Sequence, residues 1–377
     1  AAEASVTITG QKLDGHQVAM AQVLDAVLTE TRYEEKLPRC SHGVSAGDEL
    51  YGIGLAMSYR GVSLGAEGVD FCAAIVNVQA DGSILLEAGV HENGQGTESA
   101  MALVLAQELG VDRSRIVYRR SSTSAIPDSG TTVASRGTIM GGGAVTMAAR
   151  ELKQKIAETV CARLHCAPAD VRFADDFILG RTDLEKISFN EAARVMFQSQ
   201  RFPYAFGVFR PPRVSWDEHT GQGDAYFSWV YGCQAVELTV NKRTGKVNLL
   251  NAVAAHDVGR AVNREMVRGQ FFGGMAMATG YALHEEIKLR DGRITNLNLN
   301  TYRIPRATDL PEMQAIIVEN PDPVSPTGAK SLGEPTNEIL APAIANAICH
   351  ATGQRPHALP IRMSTVPEEL PDEECQR

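Results

Sequence analysis

Two short runs carry residue types that can do chemistry. Gly94-Gln95-Gly96 sets an amide between two glycines just before an apolar, helix-like stretch. Glycine lets backbone N–H groups approach a ligand closely, and a helix N-terminus attracts negative charge. The Gln95 side chain offers one acceptor and two donors, suited to a heterocycle or an oxo group. Gly333-Glu334-Pro335 sets one carboxylate at the mouth of another helix. Such a group can act as a general base when apolar and glycine-rich segments bury it in part and lift its pKa. Each run also has a plain reading. The first is a tight turn with a solvated Gln95, and the second is a first-turn acid favouring the helix dipole.

Three further clusters invite a chemical reading. Ser129-Gly130-Thr131-Thr132-Val133-Ala134-Ser135-Arg136-Gly137 is a run of hydroxyls and glycines ahead of a helix. That is phosphate-binding chemistry, with Arg136 adding a planar fork, although the Lys-Ser/Thr ending of a P-loop is missing. The plainer alternative is a helix capped by Ser135 or Thr138. Gly141-Gly142-Gly143 inside that helix requires something, a packed element or a ligand, to come close to the backbone. His256-Asp257 suggests a dyad or a metal site, but neighbours on an extended chain point to opposite faces. A structural role, such as capping the next helix, fits better. Cys40-Ser41-His42 has too short a gap for zinc and no second half, and reads as loop.

Positioning these groups requires an ordered scaffold. Apolar residues recur at helical spacing in residues 11–29. Residues 33–50 read as loop. Strands are expected at 55–59, 73–78 and 84–88, the last two joined by an Asp81-Gly82 turn, and again at 116–120. A helix runs from the 93–97 loop through Leu109 to Gly110. The helix after Arg136 reaches about Leu164. Residues 196–231 read as an irregular crossing. Strands at 235–240 and 247–255 flank a 242–245 turn, and a polar loop at 256–263 leads to a glycine-studded helix over 265–285. A strand at 312–318 and a helix at 337–352, closed by Gly353, complete the pattern. The plan strand-turn-strand-loop-helix occurs twice. The expected class is therefore α+β (mixed α/β), with sheets covered by helices. The chain divides into an N-terminal helix and loop (1–50), a first subdomain (51–232) and a second carrying Glu334 (233–377).

Composition bounds the rest. A chain of 377 residues can bury a full core. A net charge of −9 argues against nucleic acid or an anionic membrane as partner. No apolar stretch has membrane-spanning length, and the N-terminus lacks the features of a signal peptide, so a cytoplasmic protein is expected. The seven cysteines are scattered without a Cys-x-x-Cys, which suits reduced thiols and no iron–sulfur cluster in this chain.

Taken in order, residues 86–111, 127–145, 254–286 and 329–353 resemble the C-terminal half of the molybdenum-binding subunit of the xanthine dehydrogenase and aldehyde oxidoreductase family. The resemblance is collinear from about residue 8 to 366. It implies a molybdenum–molybdopterin cofactor, expected in its cytosine dinucleotide form. Gly94, Gln95, Gly96, Thr131, Thr132, Val133, Ala134, Ser135, Arg136, Gln270 and Gly333 would line that cofactor. Gln95 would bond an oxo ligand, and no side chain would ligate the metal. Glu334 would be the catalytic base in water-derived hydroxylation of an electron-poor carbon, as in nicotinate or a purine, with hydride passing to the molybdenum centre. The family's Gly-Gly-x-Phe-Gly and Phe-Arg-Gly-Phe-Gly segments are absent, and Phe209-Arg210-Pro211 does not match them. The resemblance thus implies a split subunit completed through a large apolar interface by an N-terminal-type molybdopterin chain, with [2Fe–2S] and FAD subunits docking on it. A non-catalytic molybdopterin-binding or assembly subunit, or an aldehyde oxidoreductase, are the alternatives.

Overall fold

The computed structural model describes residues 6–13, 17–39, 47–364 and 366. In chain order these form α1 (Met20–Thr31), a short α2 (Tyr33–Lys36), β1 (Glu49–Gly61), β2 (Cys72–Val78), β3 (Ile84–Ala88), α3 (Thr97–Leu109), β4 (Ile116–Tyr118) and α4 (Gly142–Val160). Then come β5 (Arg172–Ala174), β6 (Phe177–Leu179), β7 (Lys186–Ser188), α5 (Phe189–Gln198), β8 (Tyr204–Phe209), β9 (Trp229–Asn241) and β10 (Val247–Asp257). The chain ends with α6 (Arg264–Leu283), β11 (Leu289–Arg290), β12 (Arg293–Ile294), β13 (Glu312–Val318), α7 (Pro335–Glu338) and α8 (Leu340–Thr352).

Two four-stranded sheets dominate, ordered β4-β3-β2-β8 and β1-β9-β10-β13. Each holds an antiparallel hairpin, β2–β3 or β9–β10, whose second strand pairs in parallel with a later strand reached through a helix. Each is closed on the other side by an antiparallel strand, β8 or β1. The repeated plan read from the sequence is thus a repeated sheet. The expected boundaries at 50/51 and 232/233 fall inside β1 and β9.

Helix cover on both faces explains why β9 and β10 are largely apolar on their two sides alike. Val236, Leu238, Val240, Ala252 and Ala254 face α6 and α8. Trp229, Tyr231, Cys233, Ala235, Val253 and Ala255 face α1 on the opposite side. The other sheet packs one core against α3, α4 and α5.

Several boundaries differ from expectation. The first helix begins only at Met20, and residues 33–50 hold α2 and the start of β1 instead of loop throughout. Cys40-Ser41-His42 lies outside the described residues. The stretch 196–231 contains β8, and β5–β7 with α5 were not anticipated because their strands span three residues each. His256 and Asp257 end β10 fully buried, where a polar loop was expected, and Asn263 Oδ1 caps α6 in place of either. Ser135 and Thr138 do not cap the helix after Arg136, which opens with a π-helical turn, Gly137–Gly141, without a side-chain cap. Its glycines admit packing partners: a Cβ on Gly141 would lie 2.8 Å from Val90 Cγ2, and one on Gly143 2.5 Å from the Phe209 ring. Cys72, Cys161, Cys166 and Cys233 are free thiols, but Cys349 is disulfide-bonded, against the expectation of reduced thiols throughout.

Candidate functional site

Four loops converge at the ends of these elements on a cavity of about 260 Å³. Gln95, Thr132, Val133, Ser135, Arg136, Gln270, Gly333 and Glu334 all contribute to its wall, together with Arg260 and Lys330. Of the sequence-derived residues, Gly94, Gly96, Thr131 and Ala134 stand behind it as loop backbone. The two runs that opened the sequence reading therefore share one cavity.

The 91–96 loop is shaped by Glu92. Its carboxylate accepts from Gly94 N at 2.8 Å, Gly96 N at 3.0 Å and Glu98 N at 3.0 Å. Burial works against its ionisation, but the backbone N–H groups of Glu98, Gly96, Gly94 and Thr97 outweigh burial and hold the carboxyl below its usual range. Gly94 and Gly96 take φ of 97° and 86°, a region that favours glycine, which aligns those N–H groups on Glu92. The Gln95 side chain folds back: Nε2 donates to the His91 carbonyl at 2.8 Å, and Oε1 accepts from Asn93 N at 2.5 Å. One of its two amide N–H donors stays available. Gln270 Nε2 donates from α6 to the Gln95 carbonyl at 3.4 Å.

The 131–136 loop is tied on both sides. Thr132 Oγ1 accepts from His91 N at 2.8 Å. Arg136, 1 % exposed, spends its guanidinium inside the chain, on Asp70 Oδ1 at 2.7 and 3.0 Å, the Thr131 carbonyl at 3.0 Å and the Phe71 carbonyl at 2.7 Å. The expected phosphate fork thus acts as the clasp of the loop. Ala134 and Ser135 both adopt positive φ, 50° and 51°, strained for side-chain-bearing residues. The backbone N–H groups of Thr131 through Ser135 make no hydrogen bond among the described residues. A run of unpaired N–H groups in left-handed backbone forms an anion-binding concavity.

Ser135 joins this loop to Glu334. Its Oγ donates to Glu334 Oε2 at 2.8 Å and accepts from Glu334 N at 2.8 Å. Arg60 Nη2 lies 3.1 Å from the same Oε2. Glu334 Oε1 has no hydrogen-bond partner among the described residues. The side chain is 44 % exposed, part-buried as the sequence reading expected. A Cβ at position 333 would meet Ser135 Oγ at 3.5 Å, an ordinary van der Waals contact, so packing here does not demand glycine.

Behind this wall sits a buried polar layer. Lys330 Nζ pairs with Asp257 Oδ2 at 2.6 Å, which also accepts from Asn320 at 2.9 Å. Burial pushes the Asp257 carboxyl up against the opposing pull of Lys330. His256 is completely buried, and that burial holds its imidazole down at about 3. Gln234 Nε2 lies 2.9 Å from His256 Nε2 and donates to the Thr336 carbonyl at 2.8 Å, so the pair supports the turn that follows Glu334.

Sequence reading missed Glu92 and Arg60. An acid shortly before a glycine-opened helix is a recognisable signal for Glu92. Arg60 carries no local signal, because only sheet pairing brings β1 beside α7. Among the described residues no helix is long and apolar enough to cross a membrane, and no group of three or more His, Cys, Asp or Glu could hold a metal.

The chain is similar to known proteins in sequence and in fold. The xanthine dehydrogenase molybdenum-binding subunit of Escherichia coli O157:H7 is 28 % identical over 375 residues, covering 96 % of this chain and 47 % of the relative. The 6-hydroxypseudooxynicotine dehydrogenase complex subunit gamma of Paenarthrobacter nicotinovorans is 29 % identical over 327 residues, covering 85 % of this chain and 39 % of that protein. The chain thus spans less than half the length of these relatives. Quinoline 2-oxidoreductase from Pseudomonas putida 86 superposes with a TM-score of 0.82 at 21 % identity, over 93 % of this chain and 44 % of that one, and so shares the fold. The family model described as "Molybdopterin cofactor-binding domain" matches residues 26–311. With that match over most of its length, the chain belongs to the molybdopterin cofactor-binding domain family.

Proposed function

We propose that this chain is the catalytic half of a molybdenum hydroxylase, acting on an electron-poor carbon of an N-heterocycle such as nicotinate or a purine. The observation that carries the reading is the state of Glu334. One carboxylate oxygen is tethered by Ser135 and Arg60, and the other is free on a wall shared with Gln95 and Gln270. A general base needs such an arrangement, fixed in direction yet open to accept a proton.

The residues present fit the cofactor. The unpaired N–H groups of Thr131, Thr132, Val133, Ala134 and Ser135 suit an anionic, hydrogen-bond-accepting ligand, and the glycines at 94, 96 and 333 keep the backbone near it. When bound, molybdenum–molybdopterin supplies the oxygen-transfer and hydride-accepting chemistry. Gln95 would orient it with its remaining amide N–H, and Gln270 would steady the Gln95 loop. Arg136 would act indirectly by holding the 131–136 turn. Glu334 would accept a proton at Oε1 while Oε2 stays on Ser135 and Arg60, a return path for the proton opening to solvent through the exposed side. The similarity to a dehydrogenase-complex subunit supports a heteromeric assembly. In this reading the assembly is cytoplasmic and adds a complementary N-terminal-type molybdopterin chain with [2Fe–2S] and FAD subunits, and the cofactor is the cytosine dinucleotide form.

The test is Glu334→Gln in the assembled complex. Molybdenum content should stay at the wild-type level. Turnover should drop about a thousandfold, the scale of losing a positioned base. Turnover within a few-fold of wild type would remove Glu334 from the chemistry and favour a non-catalytic cofactor-binding role.

A further inference from the structure

Arg60 stands near the end of β1, a strand whose sequence position gives no hint that it approaches Glu334. Its guanidinium forks between two acids. Nη2 lies 3.1 Å from Glu334 Oε2, and Nη1 lies 3.1 Å from Glu338 Oε2. Nε donates to the Gly61 carbonyl at 3.3 Å. Ser58, two residues earlier on the same face of the strand, donates Oγ to Glu338 Oε1 at 2.7 Å. One strand face thus grips both ends of the turn that carries Glu334.

The geometry selects between two functions for the fork. A planar guanidinium facing one carboxylate usually makes two parallel bonds and covers both oxygens. Here the second arm is occupied by Glu338, which Ser58 holds in place. Arg60 can therefore reach only Oε2, the oxygen that Ser135 also bonds, and Oε1 stays uncovered. Glu334 and Glu338 are also like charges four residues apart, a spacing that destabilises a helical turn unless a cation lies between them.

We propose that Arg60 is a positioning residue for Glu334, with Glu338 as the counter-anchor that keeps the guanidinium off Oε1. The assignment rests on the reading of Glu334 as the base. Loss of the clamp lets the 331–338 turn swing and the base spend most of its time misdirected. Substrate binding is untouched, because Arg60 does not line the cavity.

The test compares Arg60→Gln, Arg60→Lys and Glu334→Gln in the assembled, molybdenum-loaded complex, with nicotinate and hypoxanthine as probe substrates. In Arg60→Gln, kcat should fall about fivefold, the rate equivalent of losing one part-exposed ion pair. KM, molybdenum content and melting temperature should stay put. Amide hydrogen exchange should rise in residues 331–338 and nowhere else. Arg60→Lys restores one charged contact, so it should recover most of the rate and the protection. Unchanged exchange over 331–338 in Arg60→Gln overturns the clamp, and so does a rate loss that tracks lost molybdenum or that Arg60→Lys shares in full. If Glu334→Gln keeps turnover, the reading of the base fails, yet the exchange measurement still judges whether Arg60 holds the turn.

Discussion

At the scale of single residues, the site combines economy with strain. Ser135 Oγ serves both the amide and the carboxylate of Glu334, and it does so from a left-handed backbone that Arg136 and Asp70 hold in place. Removing the clasp would release the loop, which makes Arg136 as important as any residue that touches ligand. The buried layer behind Glu334 yields a prediction about pH. His256 is held near 3 by burial, against an ordinary 6.5. The unfolded chain takes up this proton first as pH falls. The stabilisation from keeping His256 neutral is therefore complete above pH 6.5 and is lost between 6.5 and about 3. The contribution of this one group amounts to about 1.4 kcal/mol per pH unit in that window. Urea unfolding at pH 7, 6, 5 and 4 should show a shallower decline for His256→Gln, which has no proton to gain. Parallel curves for the two proteins would mean that His256 is not buried neutral.

At the scale of elements, the two halves solve one packing problem in the same way. A long helix lies across the outer antiparallel strand of each sheet, and that strand carries glycine at the crossing. A Cβ on Gly54 of β1 would collide with the backbone of Ala347 in α8, and one on Gly207 of β8 with the backbone of Ala148 in α4. Neither helix can retreat without opening its core. Gly54→Ala and Gly207→Ala should each lower unfolding stability by about 1–3 kcal/mol, the range for overpacking a close interface, read as a lower urea midpoint at unchanged slope. Gly273→Ala serves as a reference, a glycine without positive φ and with no neighbour in reach of a Cβ. Equal losses at all three positions would show that helix contact does not set the cost. The crossing at β1 also fixes where Arg60 emerges, so packing and site geometry depend on the same strand.

At the scale of the whole molecule, the site is part-open, with Glu334 on its wall 44 % exposed. The relatives run to more than twice the length of this chain, which spans 47 % and 39 % of them. Exposed apolar side chains cluster after α6, with Ile287, Leu289, Leu297 and Leu299 all more than 60 % exposed. Under the proposed function these belong with surfaces that meet other polypeptides. Purification under native conditions should bring down a molybdopterin-binding polypeptide together with iron–sulfur and flavin proteins. Acid hydrolysis of the purified complex should release CMP in proportion to molybdenum. A monomeric chain with neither metal nor CMP would refute the assembly.

The amino-acid sequence by itself determined the alternating apolar strands, the glycine-ended helices and the order of the four motifs, because each depends on neighbours a few residues apart. It marked Gln95, the 131–136 loop, Gln270 and Glu334 as one set, since their types and order match a known pattern. It left β5–β7 unseen, since three-residue strands carry too little periodicity, and read His256-Asp257 as loop, since polarity signals solvent unless a distant partner is present. Only the tertiary structure decided that Arg136 points inward to Asp70, that Ser135 grips Glu334, and that Arg60 is shared by two acids. Those contacts join residues tens to hundreds of positions apart. The last exists only because β1 completes the sheet of the opposite half, a pairing fixed by backbone register and core packing that no local pattern records.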